Sequence, residues 1–223
     1  MLEKIIALIM LFLSLGQTGI TEYRAATNPG GELFLVNRTY MLTKDYVPDD
    51  LVKPNVLHAG ENILLRKDAA EALESMFLAA QEEAGLQLSA LSGYRSYGSQ
   101  AAIHERKVKA VGKKAALRVS APAGASEHQL GLAMDLCTAL DSSLTERFAQ
   151  TPEGQWVREN CARFGFIIRY EAEWEEITGY SYEPWHVRYV GREHAEIITQ
   201  AHVPLEVYAL ALNDERLNMI CGN

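Results

Sequence analysis

The sequence predicts a single domain of α+β class, and three observations predict it. The chain has 223 residues, a length that suits one domain better than two. Hydrophobic residues make up 48% of it, enough for a sizeable core and too many for a disordered chain. Segments of helical and strand periodicity are intermixed along it, with no internal repeat and no low-complexity stretch.

The N-terminal stretch is set apart from the fold. Residues 5–15 form an apolar run interrupted only by Ser14, behind a short start containing Lys4. That length fits the hydrophobic region of a signal peptide and falls short of the roughly 20 residues that cross a bilayer. Ser14 and Gly16 are small, as a cleavage site after Gly16 requires. The expectation is therefore a signal peptide over 1–16, export, and no transmembrane span in the mature chain. A buried N-terminal helix is the competing reading, to which Glu3 lends weight by offsetting Lys4. No cysteine follows the run, so a lipid anchor is not indicated.

Residues 17–31, rich in Thr, Asn, Gly and Ala, read as a linker. Residues 33–36 are a short apolar run that predicts a strand, followed by turn material through Pro48 and Pro54. From Lys67, Ala70, Leu73, Phe77, Ala80 and Ala84 recur at helical spacing, with Gly85 where a C-cap belongs. Residues 86–91 alternate as a strand does. A second helix is predicted over 97–111, and the basic Lys113, Lys114 and Arg118 after it read as a solvated face. Residues 120–126, all small or Pro, predict a loop, and 130–136 a buried strand.

Thr151-Pro152-Glu153 opens a helix with a capping hydroxyl, Pro at the first position and an acid in the first turn. That helix shows Val157, Cys161 and Phe164 on one face and stops at Gly165. Residues 166–170 and 185–190 predict the last strands, and 195–201 a short helix. The domain is expected over 32–212, with a polar tail over 213–223.

Formal net charge is -8, a balance that repels polyanions and argues against nucleic acid as a partner. The three cysteines, Cys137, Cys161 and Cys221, show no CxxC spacing, so neither a zinc knuckle nor a disulfide scaffold is indicated. Cys137 and Cys161 read either as a pair or as two buried free thiols.

Two segments carry chemistry: residues 126–135, SEHQLGLAMD, and residues 183–186, EPWH. A hydrolytic zinc needs three N or O ligands, a position open to water, and a carboxylate outside the ligand set to take the water's proton. His128, Asp135 and His186 meet the first demand and Glu183 the last. A turn at Gly131 would bring His128 and Asp135 to one ion. Pro184 rules out a continuous helix, so Glu183 and His186 reach one cavity only from strand-like backbone. Asp135 is the least ordinary of the four, because a carboxylate among Met134 and Leu136 is costly unless paired or on a metal. His58, His104, His194 and His202 lack such partners and read as surface or structural residues.

The pattern S-x-H-x-x-G-x-A-x-D followed by E-x-W-H resembles the VanY-type D-alanyl-D-alanine carboxypeptidases, zinc peptidases related to lysostaphin and the hedgehog domain. Leu35-Val36-Asn37-Arg38, Tyr46-Val47-Pro48, Ser92-Gly93-Tyr94-Arg95-Ser96 with Gln100, and Gly165-Phe166 extend the likeness over nearly the whole domain. The resemblance implies a central, mainly antiparallel sheet flanked by helices, with Zn2+ in a surface cleft. It implies His128, Asp135 and His186 as zinc ligands, Glu183 as catalytic base, and Arg95 at the substrate's carboxylate or oxyanion. Gln100 and Ser126 are implied to contact substrate. The implied substrate is a peptidoglycan stem peptide or precursor ending in D-Ala, cleaved outside the cytoplasm. Alternatives are an L,D-carboxypeptidase acting on tetrapeptide stems and a non-catalytic wall-binding module of the same fold.

Overall fold

The computed structural model describes residues 31–213. The expected signal peptide, nearly all of the expected linker, and residues 214–223 with Cys221 lie outside the described residues.

A four-stranded antiparallel sheet organises the domain. Its order is β3 (Leu88–Ser92), β4 (Ala133–Thr138), β6 (Glu183–Tyr189) and β5 (Phe166–Tyr170). A small antiparallel ribbon, β1 (Leu51–Val52) with β2 (Leu65–Arg66), precedes it in the chain. The helices are α1 (Lys67–Ala84), α2 (Tyr97–Val111), α3 (Lys113–Val119), α4 (Pro152–Asn160), α5 (Glu175–Thr178), α6 (Arg192–Ala201) and α7 (Leu205–Asn213). This is the α+β class the sequence predicts.

Local chemistry explains the boundaries. α1 buries Ala69, Ala70, Leu73, Met76 and Ala80, a stripe at helical spacing. Gly85 ends it in left-handed backbone at φ 69°, its N–H donating to the Gln81 carbonyl while Leu86 N–H donates to Ala80. At α4 the Thr151 hydroxyl accepts from Gly154 N–H at 3.0 Å, as the Thr-Pro-Glu start requires.

The sheet buries both faces, and strand alternation sorts residues between them. Met134, Leu136, Phe166, Ile168 and Val187 join α1 and α4 in the main core. Ile167 on the opposite face joins a second core made with α6 and α7, around Ile198, Leu205 and Tyr208. Asp135, His186 and Arg188 share that opposite face, since paired residues of antiparallel strands lie on one side.

Three expectations change. Residues 33–36 are buried but form no strand: Leu33 lies in a turn and the next three residues have no regular structure. Leu33 and Leu35 enter the second core while Phe34 and Val36 enter the main one. The Arg188 guanidinium, in place of a neighbouring strand, donates to the Glu32 and Phe34 carbonyls. The basic 113–119 stretch is a short helix, exposed at Lys113, Lys114 and Arg118 and anchored by buried Ala116. α7, placed inside the domain but not recognised as a helix, closes the second core. Cys137 and Cys161 are buried and free.

Candidate metal centre

The site is assembled where β4 and β6 pair. Asp135 lies directly opposite His186, which puts their side chains on one face as cross-strand neighbours although 51 residues separate them. His128 comes from the 3-10 turn Glu127–Leu130, and Gly131 then reverses the chain into β4 at φ 76°. The turn foreseen at Gly131 is thus real.

Glu183 reaches the cleft through an irregularity. Ile168 pairs with Val187 but Tyr170 with Glu183, so two steps along β5 match four along β6. Strict alternation would send Glu183 and His186 to opposite faces; the bulge suspends it. Pro184, which has no N–H for a ladder, sits inside that bulge in an internal strand. A second irregularity, at the end of β3, sets Ser92 opposite Asp135.

The donor set converges. Ligand atoms of His128, Asp135 and His186 all lie within 4.8 Å of one another, and all three residues are buried. His128 Nδ1–H donates to the Gly93 carbonyl at 2.8 Å, which leaves Nε2 facing Asp135 Oδ2 at 3.3 Å. His186 is turned the other way, with Nδ1 3.0 Å from Asp135 Oδ1 and Nε2 3.3 Å from Glu127 Oε2. The Glu183 carboxylate lies 3.9 Å from His186 Nδ1.

The electrostatics gather positive charge around the Asp135 carboxylate. Burial pulls the His128 ring down to about 4, so it is neutral. Burial opposes charge on Asp135 as well, yet His128 and His186 hold its carboxyl well below the usual range. Burial also disfavours a charged His186, but its hydrogen bonds to Asp135 and Glu127 outweigh that and raise it to about 9. In the metal-free site that charge comes from Arg95 and the protonated His186 beside Asp135; two N donors with one O donor suit zinc, which would take the place of the His186 proton. Burial lifts Glu183 to about 7.

Every residue singled out in the sequence lines one cleft of about 700 Å3: Arg95, Gln100, Ser126, His128, Asp135, Glu183 and His186. Arg95 is more than a surface charge. Its Nη2 donates to Asp135 Oδ2 at 3.0 Å and its Nη1 to Gln100 Oε1 at 2.9 Å. Gln100 in turn donates to the Ala121 carbonyl at 2.7 Å, so both ends of its amide are engaged with protein groups. Ser126 is buried beside the cleft. The other histidines stand apart: His58 bonds the Gly60 carbonyl, His104 that of Ser120, His194 the Tyr208 hydroxyl and His202 Glu173.

The sequence reading missed a buried ionic cluster behind His186. Glu127 Oε1 accepts from Arg169 Nε and Arg188 Nη1, both at 2.8 Å, and Arg169 also makes a two-pronged pair with Glu206 on α7. The signal was present. Arg169 and Arg188 each interrupt an apolar strand, as Asp135 does, and a charge so placed demands a partner.

Comparison with known proteins gives the family. Residues 62–192 match the VanY family, described as D-alanyl-D-alanine carboxypeptidase. The chain is 45% identical over 186 residues to YodJ of Bacillus subtilis strain 168, covering 81% of this chain and 68% of that protein. It is 35% identical over 201 residues to a D-alanyl-D-alanine carboxypeptidase of Enterococcus faecium, of which it spans 62%, covering 86% of this chain. Among solved structures, the LD-carboxypeptidase LdcB superposes with a TM-score of 0.76 at 44% identity, over 82% of this chain and 87% of that one. A mutant of the vancomycin-resistance D,D-pentapeptidase VanY, in complex with Zn(II), gives 0.67 at 36% identity, over 79% and 98%. With the family match and the fold in agreement, the chain belongs to the VanY family of D-alanyl-D-alanine carboxypeptidases.

Proposed function

We propose that this protein is a zinc-dependent carboxypeptidase that removes the C-terminal D-alanine from peptidoglycan stem peptides or precursors outside the cytoplasm. The observation that carries the proposal is the convergence of His128, Asp135 and His186 in a cleft that also holds Glu183. The family supports the substrate class. The VanB-type relative solved with D-alanyl-D-alanine supports a peptide ending in D-Ala. The apolar run over 5–15 and a wall substrate support export; among the described residues no helix is long and apolar enough to cross a membrane.

In this reading His128 Nε2, Asp135 and His186 Nδ1 would hold the metal. When bound, zinc would supply Lewis acidity and make a water in the cleft a stronger acid. Glu183 accepts the water's proton as the scissile carbonyl is attacked and passes it to the leaving amine. Burial holds the metal-free Glu183 carboxyl at about 7, and a cation beside it would favour the ionised form that accepts the proton. Arg95, fixed by Asp135 and Gln100, presents permanent positive charge to the substrate's carboxylate or to the developing oxyanion. Ser126 lines the same wall and contacts the peptide. No covalent intermediate is required.

A second reading, L,D-cleavage of tetrapeptide stems, draws on the closer likeness to LdcB and on a further L,D-carboxypeptidase, DacB, at 38% identity and TM-score 0.62. Both readings release D-alanine and differ in the residue before it. Metal analysis with end-product analysis on defined tri-, tetra- and pentapeptides tests them. We expect one zinc per chain and D-alanine released from the tetrapeptide or pentapeptide, lost on chelation and restored by zinc. D-alanine released from none of the peptides by zinc-loaded protein overturns the proposal.

A further inference from the structure

The cluster behind His186 is expensive. Glu127, Arg169 and Arg188 side chains are fully buried, and Glu206 is nearly so. Buried ion pairs of this kind often contribute less to stability than apolar packing would. Their geometry is nevertheless specific. Both arginines converge on Oε1 of Glu127, leaving Oε2 to His186 Nε2 alone. Arg188 is itself fixed by the Glu32 and Phe34 carbonyls, and Arg169 by Glu206.

An ionised carboxylate only accepts hydrogen bonds. Two guanidinium groups donating to Oε1 at 2.8 Å keep Glu127 in that acceptor-only form. His186 Nε2 therefore keeps its proton, and Nδ1, which faces Asp135, is the nitrogen left to give up its proton to a metal. We propose that Glu127, clamped by Arg169 and Arg188, is a positioning residue that sets the tautomer and ring orientation of His186 so that Nδ1 is presented to the metal. His128 has the opposite arrangement: the Gly93 carbonyl takes its Nδ1 proton and presents Nε2. The two ligand histidines are thus locked in opposite tautomers by different outer partners. The inference rests on the zinc reading above.

Glu127→Gln is the sharp variant, because it keeps shape while changing what faces His186. Two arginines claim the single amide oxygen, so the NH2 group turns to Nε2 and drives the ring proton onto Nδ1, where it blocks the metal. Zinc affinity, measured by competition with a chromophoric chelator, should fall about 10- to 100-fold, the usual effect of losing an outer partner of a ligand histidine. Glu206→Gln serves as control. It breaks the distal half of the cluster, so thermal stability should fall while zinc affinity stays within about threefold.

Long-range nitrogen–proton NMR on wild-type, zinc-loaded protein labelled at histidine needs no variant to fold. It should show His186 protonated at Nε2 and His128 protonated at Nδ1. Protonation of His186 at Nδ1, unchanged zinc affinity in Glu127→Gln, or equal losses of affinity in both variants would each overturn the proposal. A wild-type chain that binds no zinc ends the parent reading and this one together; wild-type binding with any of those three results ends this one alone.

Discussion

Glu183 shows how one residue's environment sets its use. Held up to about 7 by burial, its carboxyl is neutral in the folded, metal-free protein over a range where an unfolded chain would ionise it. The folded state therefore carries a cost that begins above pH 4.5 and is complete above about pH 7. In Glu183→Gln that cost is gone. At pH 8 the metal-free variant should be more stable than wild type by roughly 1–3 kcal/mol, and no more stable at pH 4, by denaturant titration. The same variant should bind zinc and lose at least about 100-fold in kcat. In wild type, NMR should place the Glu183 midpoint near 7 without metal, and zinc should lower it, because a nearby cation favours the carboxylate.

The cysteines give a second test at this scale. Burial pushes the Cys161 thiol up to about 12 and raises Cys137 as well, so neither yields appreciable thiolate near neutral pH. In a Cys221→Ser background, folded protein at pH 8 should react with a thiol reagent only slowly, and denatured protein should titrate two thiols. Rapid reaction of the folded protein would mean that the burial is wrong.

At the scale of elements, the site depends on backbone irregularities more than on regular strands. The β6 bulge brings Glu183 alongside His186, and the reversal at Gly131 returns His128 to Asp135. The end of β3 supplies the carbonyl that orients His128. Gly93 is confined there: a Cβ would stand 2.4 Å from the Leu64 carbonyl oxygen, so the backbone itself would have to move. Gly93→Ala should destabilise the protein by about 2 kcal/mol and weaken zinc binding, because the displaced carbonyl is the His128 partner. Chemical denaturation and chelator competition on one preparation would show both. A loss of stability with zinc affinity intact would detach Gly93 from the metal site.

Considered as a whole molecule, two cores share one sheet and the ionic cluster lies between the site and the second core. α7 closes that core with Leu205 and Tyr208, both fully buried. Leu205→Ala leaves a cavity and should cost about 2–4 kcal/mol. Since Leu205 does not line the cleft, kcat should change little; thermal unfolding and steady-state kinetics on the same sample decide. An equally large fall in kcat would show that the second core sets the site geometry directly.

What could be read without the fold was local. Gly85, Thr151-Pro152 and Gly131 specify backbone through their own chemistry, and the helices of 67–84 and 97–111 follow from residues a turn apart. The ligand types were likewise legible, since a carboxylate in an apolar strand demands a cation wherever it lies. Tertiary structure decided the partners. Residues 33–36 look like a strand because a short apolar run records burial, and a sequence does not show whether the neighbour is a ladder or the Arg188 guanidinium. Gln100 was read toward substrate, and only the fold shows it gripping Arg95 and Ala121. Glu127 was passed over inside the very motif that holds His128, because its partners lie some 40 to 60 residues away on strands whose register nothing local determines. The zinc-binding chemistry was written in the side chains; which nitrogen each histidine presents was settled by distant groups that folding packs against it.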